Sequence, residues 1–159
     1  MSTLRFEFVA QDHVVYEGDV NMVVIPGADG VIGVLPKHAP LMAVVVPGEV
    51  VVRKEGEEDR HFAVGGGFVE VRPDKVVLVA RSGESAEEID AIRAEAAMRR
   101  AEAYLASPER ERDQDRRVAM EAALRRSRVR LQIARRRHSG RRSANRGYET
   151  APPREEEAD

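Results

Sequence analysis

At 159 residues the chain has room for one core of ordinary size plus an appendage, and with no cysteine it can form neither a disulfide nor a thiolate metal site. No run approaches the ~18 apolar residues of a membrane helix, and residues 1–6 enter strand-like sequence without the charged-then-apolar layout of a signal peptide, so a soluble intracellular protein is expected. The net charge of -2 divides into zones of -5 over residues 1–84, +7 over 85–148 and -4 over 149–159, so the middle zone offers a basic surface to something acidic.

Strand signals crowd the first half. Leu4-Arg5-Phe6-Glu7-Phe8-Val9 alternates with the period of a half-buried strand. Residues 20–25 end in the turn Pro26-Gly27, and residues 41–46 end in Pro47-Gly48 with 49–54 directly behind, a predicted hairpin. After the turn 55–59 come strands at 60–64, 68–71 and 75–79, the first two separated by Gly65-Gly66-Gly67, a place for strand crossing or close packing. Many short strands with turns every 8–12 residues predict an antiparallel β-sandwich or barrel over residues 1–84.

One loop stands apart within this module, from Pro26 to Pro40. Gly30 and Gly33 can supply positive φ, and Pro26, Pro36 and Pro40 stiffen the path. The glycine spacing is not that of a phosphate loop, because no Gly-Lys-Ser/Thr follows. His38 is the sole plausible catalytic group of the loop, and the simpler reading is a histidine that hydrogen-bonds its own loop. No histidine pair has metal-ligand spacing, so no metal is expected.

The composition turns over at residues 81–85. Twenty of the 22 valines precede residue 85, and 18 of the 23 arginines follow it, which trades strand formers for helix formers. Ser85-Ala86-Glu87-Glu88 has the pattern of a capping box, predicting a helix over 86–106. Ser107-Pro108 breaks it, and a second helix is predicted over 109–137, giving an antiparallel α-helical hairpin over 85–137. The expected stripes are thin: Ile89, Ile92, Ala96 and Ala103, then Val118, Ala122, Val129 and Ile133. Alanine buries little area, so at ~25 cal/mol per Å² such a unit is marginal by itself and must dock on something. Residues 138–159 read as a disordered tail closing on Glu155-Glu156-Glu157.

Several charged groups share helix faces. Asp90, Arg93 and Arg100 fall on one side of the first helix, Arg126 and Arg130 on one side of the second. Folded together, they could bind polyphosphate through guanidinium forks, with Asp90 accepting from an adenine amino group. The plainer reading leaves Asp90 serving the helix dipole and the arginines solvated. The run 135–142 suits nucleic acid or anionic lipid by charge alone, but it has no interleaved aromatics for base stacking.

The loop Gly30-Val-Ile-Gly-Val-Leu-Pro-Lys-His38-Ala-Pro40, the stretch Gly66-Gly67-Phe68-Val69-Glu70-Val71 and the order sandwich-then-hairpin together resemble the epsilon subunit of bacterial F-type ATP synthases over residues 3–137. The extension after Arg137 is unlike most members. The resemblance implies an α+β protein with a ten-stranded sandwich, no catalytic residue of its own and no required cofactor. It implies a rotor subunit of the central stalk on the cytoplasmic face of the membrane, peripheral and attached only through the complex. Its partners would be the gamma subunit and the c-ring, met through the loop of Gly30, Gly33, His38 and Pro40. The hairpin would move, and when extended it would meet an acidic segment of the catalytic beta subunit and inhibit ATP hydrolysis. Ile89-Asp90-x-x-Arg93-Ala94 resembles the ATP-binding signature of some members, with Arg100, Arg126 and Arg130 as supporting basic residues, so ATP is implied as a regulatory ligand. The resemblance leaves no place for nucleic acid. The rival expectation from charge alone is a free-standing nucleotide-sensing or nucleic-acid-binding module.

Overall fold

The computed structural model describes residues 2–144, with side chains through Arg136. Eight strands come first: β1 (Leu4–Val9), β2 (Val14–Val20), β3 (Met22–Gly27), β4 (Gly30–Val34), β5 (Leu41–Arg53), β6 (Arg60–Val71), β7 (Lys75–Ala80) and β8 (Gly83–Ser85). They pair in the order β2-β1-β7-β6-β5-β3-β4, with β8 added on β6. Every pairing is antiparallel except β1 with β7, which is parallel.

The predicted ten strands become eight because two run unbroken through the residues read as breaks. Pro47 and Gly48 lie inside β5, in register with Gly65 and Val64 of β6. They bend the strand and do not reverse it, so the predicted hairpin of 41–46 with 49–54 does not form. The side-chain pattern records the bend. In β5 the buried positions pass from Val45 to Val50 and Val52, and in β6 from Phe62 and Val64 to Val69 and Val71. That change of parity across glycines 65–67 is what a bulge produces. Gly67 has φ 155°, and a Cβ there would stand 2.0 Å from the Val79 carbonyl oxygen, so β6 can cross β7 only with glycine. Each bent strand serves both layers, and counting their halves separately restores ten.

The layers close on Leu4, Phe6 and Phe8 of β1, Val23 and Ile25 of β3, and partners from β5, β6 and β7, all almost fully buried. Phe8 and Tyr16 meet Phe62 edge-on at 6.0 and 5.6 Å between ring centroids, a favoured aromatic geometry. The Arg60 guanidinium covers Tyr16 at 5.1 Å.

Two helices follow, α1 (Ala91–Ala106) and α2 (Gln114–Ala144), joined through a single 3-10 turn at Pro108–Glu111. Helix α1 starts five residues later than predicted. The Ser85 backbone N–H and hydroxyl do donate to Glu88 Oε2, at 3.0 and 2.9 Å. The turn does not propagate, because Ile89 is packed against a small cluster of Ala63, Ala86 and Ile133. Asp90 caps α1 instead. The predicted stripes also shift. Ile92 is 82% exposed and Val118 52%, whereas Ala94 and Ala101, seven apart, are the buried positions of α1. Helix α2 continues to Ala144, past its predicted end at 137, and the predicted tail at 145–159 lies outside the described residues. No described helix is long and apolar enough to cross a membrane.

Candidate functional site

The hairpin lies against the sandwich through few contacts. Ile133 and Val129 of α2 enter the cluster of Ala63, Ala86 and Ile89. Arg130 Nε stands 2.6 Å from Glu84 Oε2, a close ion pair without the alignment of a hydrogen bond. Arg136 Nη1 donates to Glu49 Oε2 at 2.6 Å, while the other oxygen of Glu49 meets His61 Nδ1 at 2.9 Å. Ion pairs this open contribute about 0–1 kcal/mol each, so the apolar cluster supplies most of the docking energy.

The structure divides the residues expected at a nucleotide site. Arg126 and Arg130, one turn apart on α2, line a narrow crevice against the sandwich with Gly65, Ser82, Glu84 and Val129. Asp90, Arg93 and Arg100 do not line it. Asp90 Oδ1 accepts from the Ile92 and Arg93 backbone N–H groups at 3.0 and 3.1 Å, so its carboxylate serves as the helix N-cap. Arg93 and Arg100 are exposed, and Ala94 is buried, its small side chain serving the helix packing. Ile89 belongs to the apolar docking cluster. Arg128 of α2 pairs with Glu102 of α1 at 3.5 Å, across the hairpin. Arg93 lies seven residues from Arg100, about 10 Å along α1 at 1.5 Å per residue.

The expected contact loop is ordered by its own backbone. Gly30, with φ 129°, closes the β3–β4 turn, whereas Gly33 pairs with Val24 inside β4 and adopts no positive φ. His38 Nδ1 donates to the Ala39 carbonyl at 2.7 Å, and its backbone N–H bonds Leu35 O. The histidine therefore staples the loop. The Lys37 backbone N–H bonds Pro73 O, tying the loop to the β6–β7 turn. Pro40 is exposed, as are Val31 and Leu35, so this end of the sandwich presents apolar groups.

Residue-pattern reading missed a second surface. Val44, Phe68 and Val79 stand side by side across β5, β6 and β7, with Met42 next along β5, and are 45–74% exposed. Alternation would put polar groups at these outward positions, and their apolar character was the available signal. A cleft of about 860 Å³ extends from this patch past glycines 65–67 to Arg125 and Arg126 of α2. Reading also missed Glu49 and Glu84, the sandwich carboxylates that receive α2, because their partners are distant in sequence.

Charge tuning marks the junction of the two parts. The hydrogen bond that His13 donates to the Asp12 carboxylate holds the His13 pKa above its usual value, with the Gly83 backbone and Glu88 adding to it. The Ser85 backbone and hydroxyl hold the Glu88 carboxyl below its usual range. Among the described residues no cluster could hold a metal ion.

A family profile for the ATP synthase delta/epsilon chain β-sandwich domain matches residues 3–86. The chain is 49% identical over 107 residues to an ATP synthase epsilon chain of Alkalihalophilus pseudofirmus, covering 67% of this chain and 80% of that one. It is 43% identical over 143 residues to an ATP synthase epsilon chain of Dehalococcoides mccartyi, covering 86% and 96%. A chain solved within the Euglena gracilis mitochondrial ATP synthase, as OSCP/F1/c-ring in rotational state 1, superimposes with a TM-score of 0.68 at 26% identity, covering 79% and 77%.

Proposed function

This chain belongs to the ATP synthase delta/epsilon chain family, and on that premise we propose that it couples rotation of a c-ring to the catalytic head while its hairpin brakes ATP hydrolysis. It is a subunit of the complex and not itself its catalyst. The sandwich is the rigid part. Its exposed row of Val44, Phe68 and Val79 suits an apolar partner surface, which we assign to the gamma subunit. The apolar end around Val31, Leu35 and Pro40 is assigned to the c-ring, on the cytoplasmic face of the membrane.

The hairpin is the moving part, and the observation that carries this reading is how little holds it. Among the described residues, one small apolar cluster and the ion pairs of Arg130 and Arg136 attach the long helix α2 to the sandwich. Release frees the arginines of α2 to meet an acidic segment of the beta subunit. ATP binding to the docked hairpin would hold the brake off, since a ligand favours the state it binds better. The ATP reading keeps Asp90, Arg93, Arg100, Arg126 and Arg130 as its residues and requires α1 to tighten toward α2, because the docked form spreads them apart. A free-standing nucleic-acid module is no longer favoured, given the family.

The test is a chain ending at Asp90, which preserves β8 and its pairing with β6, reconstituted into the complex. Normal assembly with raised ATP hydrolysis supports the brake. Hydrolysis unchanged across ATP and ADP conditions rejects it.

A further inference from the structure

The acidic end of the sequence has no role in the reading above. Residues 149–159 carry five acidic groups and one basic, while α2 carries eleven arginines and two acidic groups. Beside α2 lies a groove of about 470 Å³, floored by Met98, Leu131 and Gln132 and rimmed by Arg128, Arg135 and Arg136. Its floor is mostly apolar and its rim is cationic. Arg128 and Arg136 also meet Glu102 and Glu49. Arg135 meets no carboxylate in the contacts among the described residues.

We propose that the segment 149–159 of this chain folds back onto this groove, setting its glutamates against the arginine rim and covering the basic face of α2. Reach permits it. Arg135 and Arg128 lie nine and sixteen residues before Ala144, about 14 and 24 Å back along the helix at 1.5 Å per residue. Glu149 lies five residues beyond Ala144, and Glu155 eleven, which at about 3.3 Å per extended residue gives about 17 and 36 Å. Glu149 can therefore meet Arg135, and Glu155 can pass Arg128 with slack for the reversal. A tether this short holds the segment at an effective concentration of ~mM, enough to populate a weak contact. Pro152 and Pro153 limit the segment's freedom before docking and lower the ordering cost. The consequence rests on the brake reading above. The tail and an acidic partner then compete for the same arginines, so docking of the tail moderates the brake.

The docking is tested on the isolated full chain, so its failure is separable from failure of the brake. The absence of native cysteine allows a single spin label at Ala158→Cys. The expected result is relaxation broadening of the Met98 methyl and of the Leu131 and Gln132 amides, independent of protein concentration. It should fall to baseline in roughly 1 M salt, where the Debye length is about 3 Å, and in the triple variant Glu155→Gln, Glu156→Gln, Glu157→Gln. Arg128→Gln with Arg135→Gln should reduce it without lowering the sandwich melting temperature. No broadening at the groove overturns the proposal. So does broadening that grows with protein concentration, which indicates a second copy, or broadening that survives the glutamate substitutions.

Discussion

Replacing Ile133 by alanine isolates the energy that holds the hairpin down. Ile133 is 2% exposed and belongs to the small cluster beside the sandwich, not to its main core. The substitution removes three carbons, worth about 2.4 kcal/mol at ~0.8 kcal/mol per buried carbon. At 1.4 kcal/mol per decade, that shifts the docked–undocked equilibrium about fifty-fold toward release. The assay is limited trypsin digestion followed by mass spectrometry, since α2 is dense in arginines whose peptide bonds are held in helix while the hairpin is docked. Cleavage within α2 should accelerate by about the same factor when opening and closing outrun cleavage, while the sandwich keeps its melting temperature. The reasoning fails if α2 cleavage is unchanged. It fails equally if sandwich and hairpin lose structure together, because the two would then form one cooperative unit.

Other consequences are smaller in scope. Gly67→Ala should destabilise the sandwich by at least about 2 kcal/mol, read from urea unfolding, since φ 155° and the Val79 carbonyl at 2.0 Å both oppose a side chain. Asp90→Ala should weaken α1 by about 1 kcal/mol through loss of its cap, whereas Asp90→Asn keeps a capping oxygen and should preserve helicity; ATP binding lost in both, by calorimetry, would assign the carboxylate to the nucleotide. The His13 pKa is raised by Asp12, so the stability it contributes is complete below the unfolded histidine value and disappears as pH rises through the higher folded value. His13→Ala should flatten unfolding free energy against pH in that window. Glu88 titrates the opposite way, its contribution present above the ordinary glutamate range and lost as pH falls through the lowered value; Glu88→Gln should remove that acid-side slope.

The division of the chain was legible because strand and helix formers change over together near Ser85. The inward residues of β1 were legible from alternation, whereas β2, β8 and the strand β4 inside the stretch read as a loop were not. The continuity of β5 and β6 was not, because Pro47-Gly48 and glycines 65–67 are turn signals locally. Only pairing with a partner strand decides whether such residues reverse the chain or bend it. The parity change from Val45 to Val50 was the available clue. The start of α1 was misplaced for a related reason. Ser85 and Glu88 make the local contact their spacing predicts, yet the distant Ile133 holds Ile89 outside the helix. The parallel β1–β7 pairing and the bond from Arg136 to Glu49, 87 residues apart, leave no local mark at all. Of the nucleotide-site residues, helix spacing captured the pairing of Arg126 with Arg130. The capping bonds of Asp90 agree with the plainer reading of that residue as serving the start of the helix.

The measurement that bears most directly on the account is ATP hydrolysis by a reconstituted complex whose hairpin is locked down. Glu49→Cys and Arg136→Cys, which replace an ion pair bridging β5 and α2, accept a reducible thiol cross-linker in a chain with no other cysteine. The account predicts full hydrolysis while the link is intact and a return of inhibition on reduction. Equal hydrolysis in the linked and reduced states would contradict it.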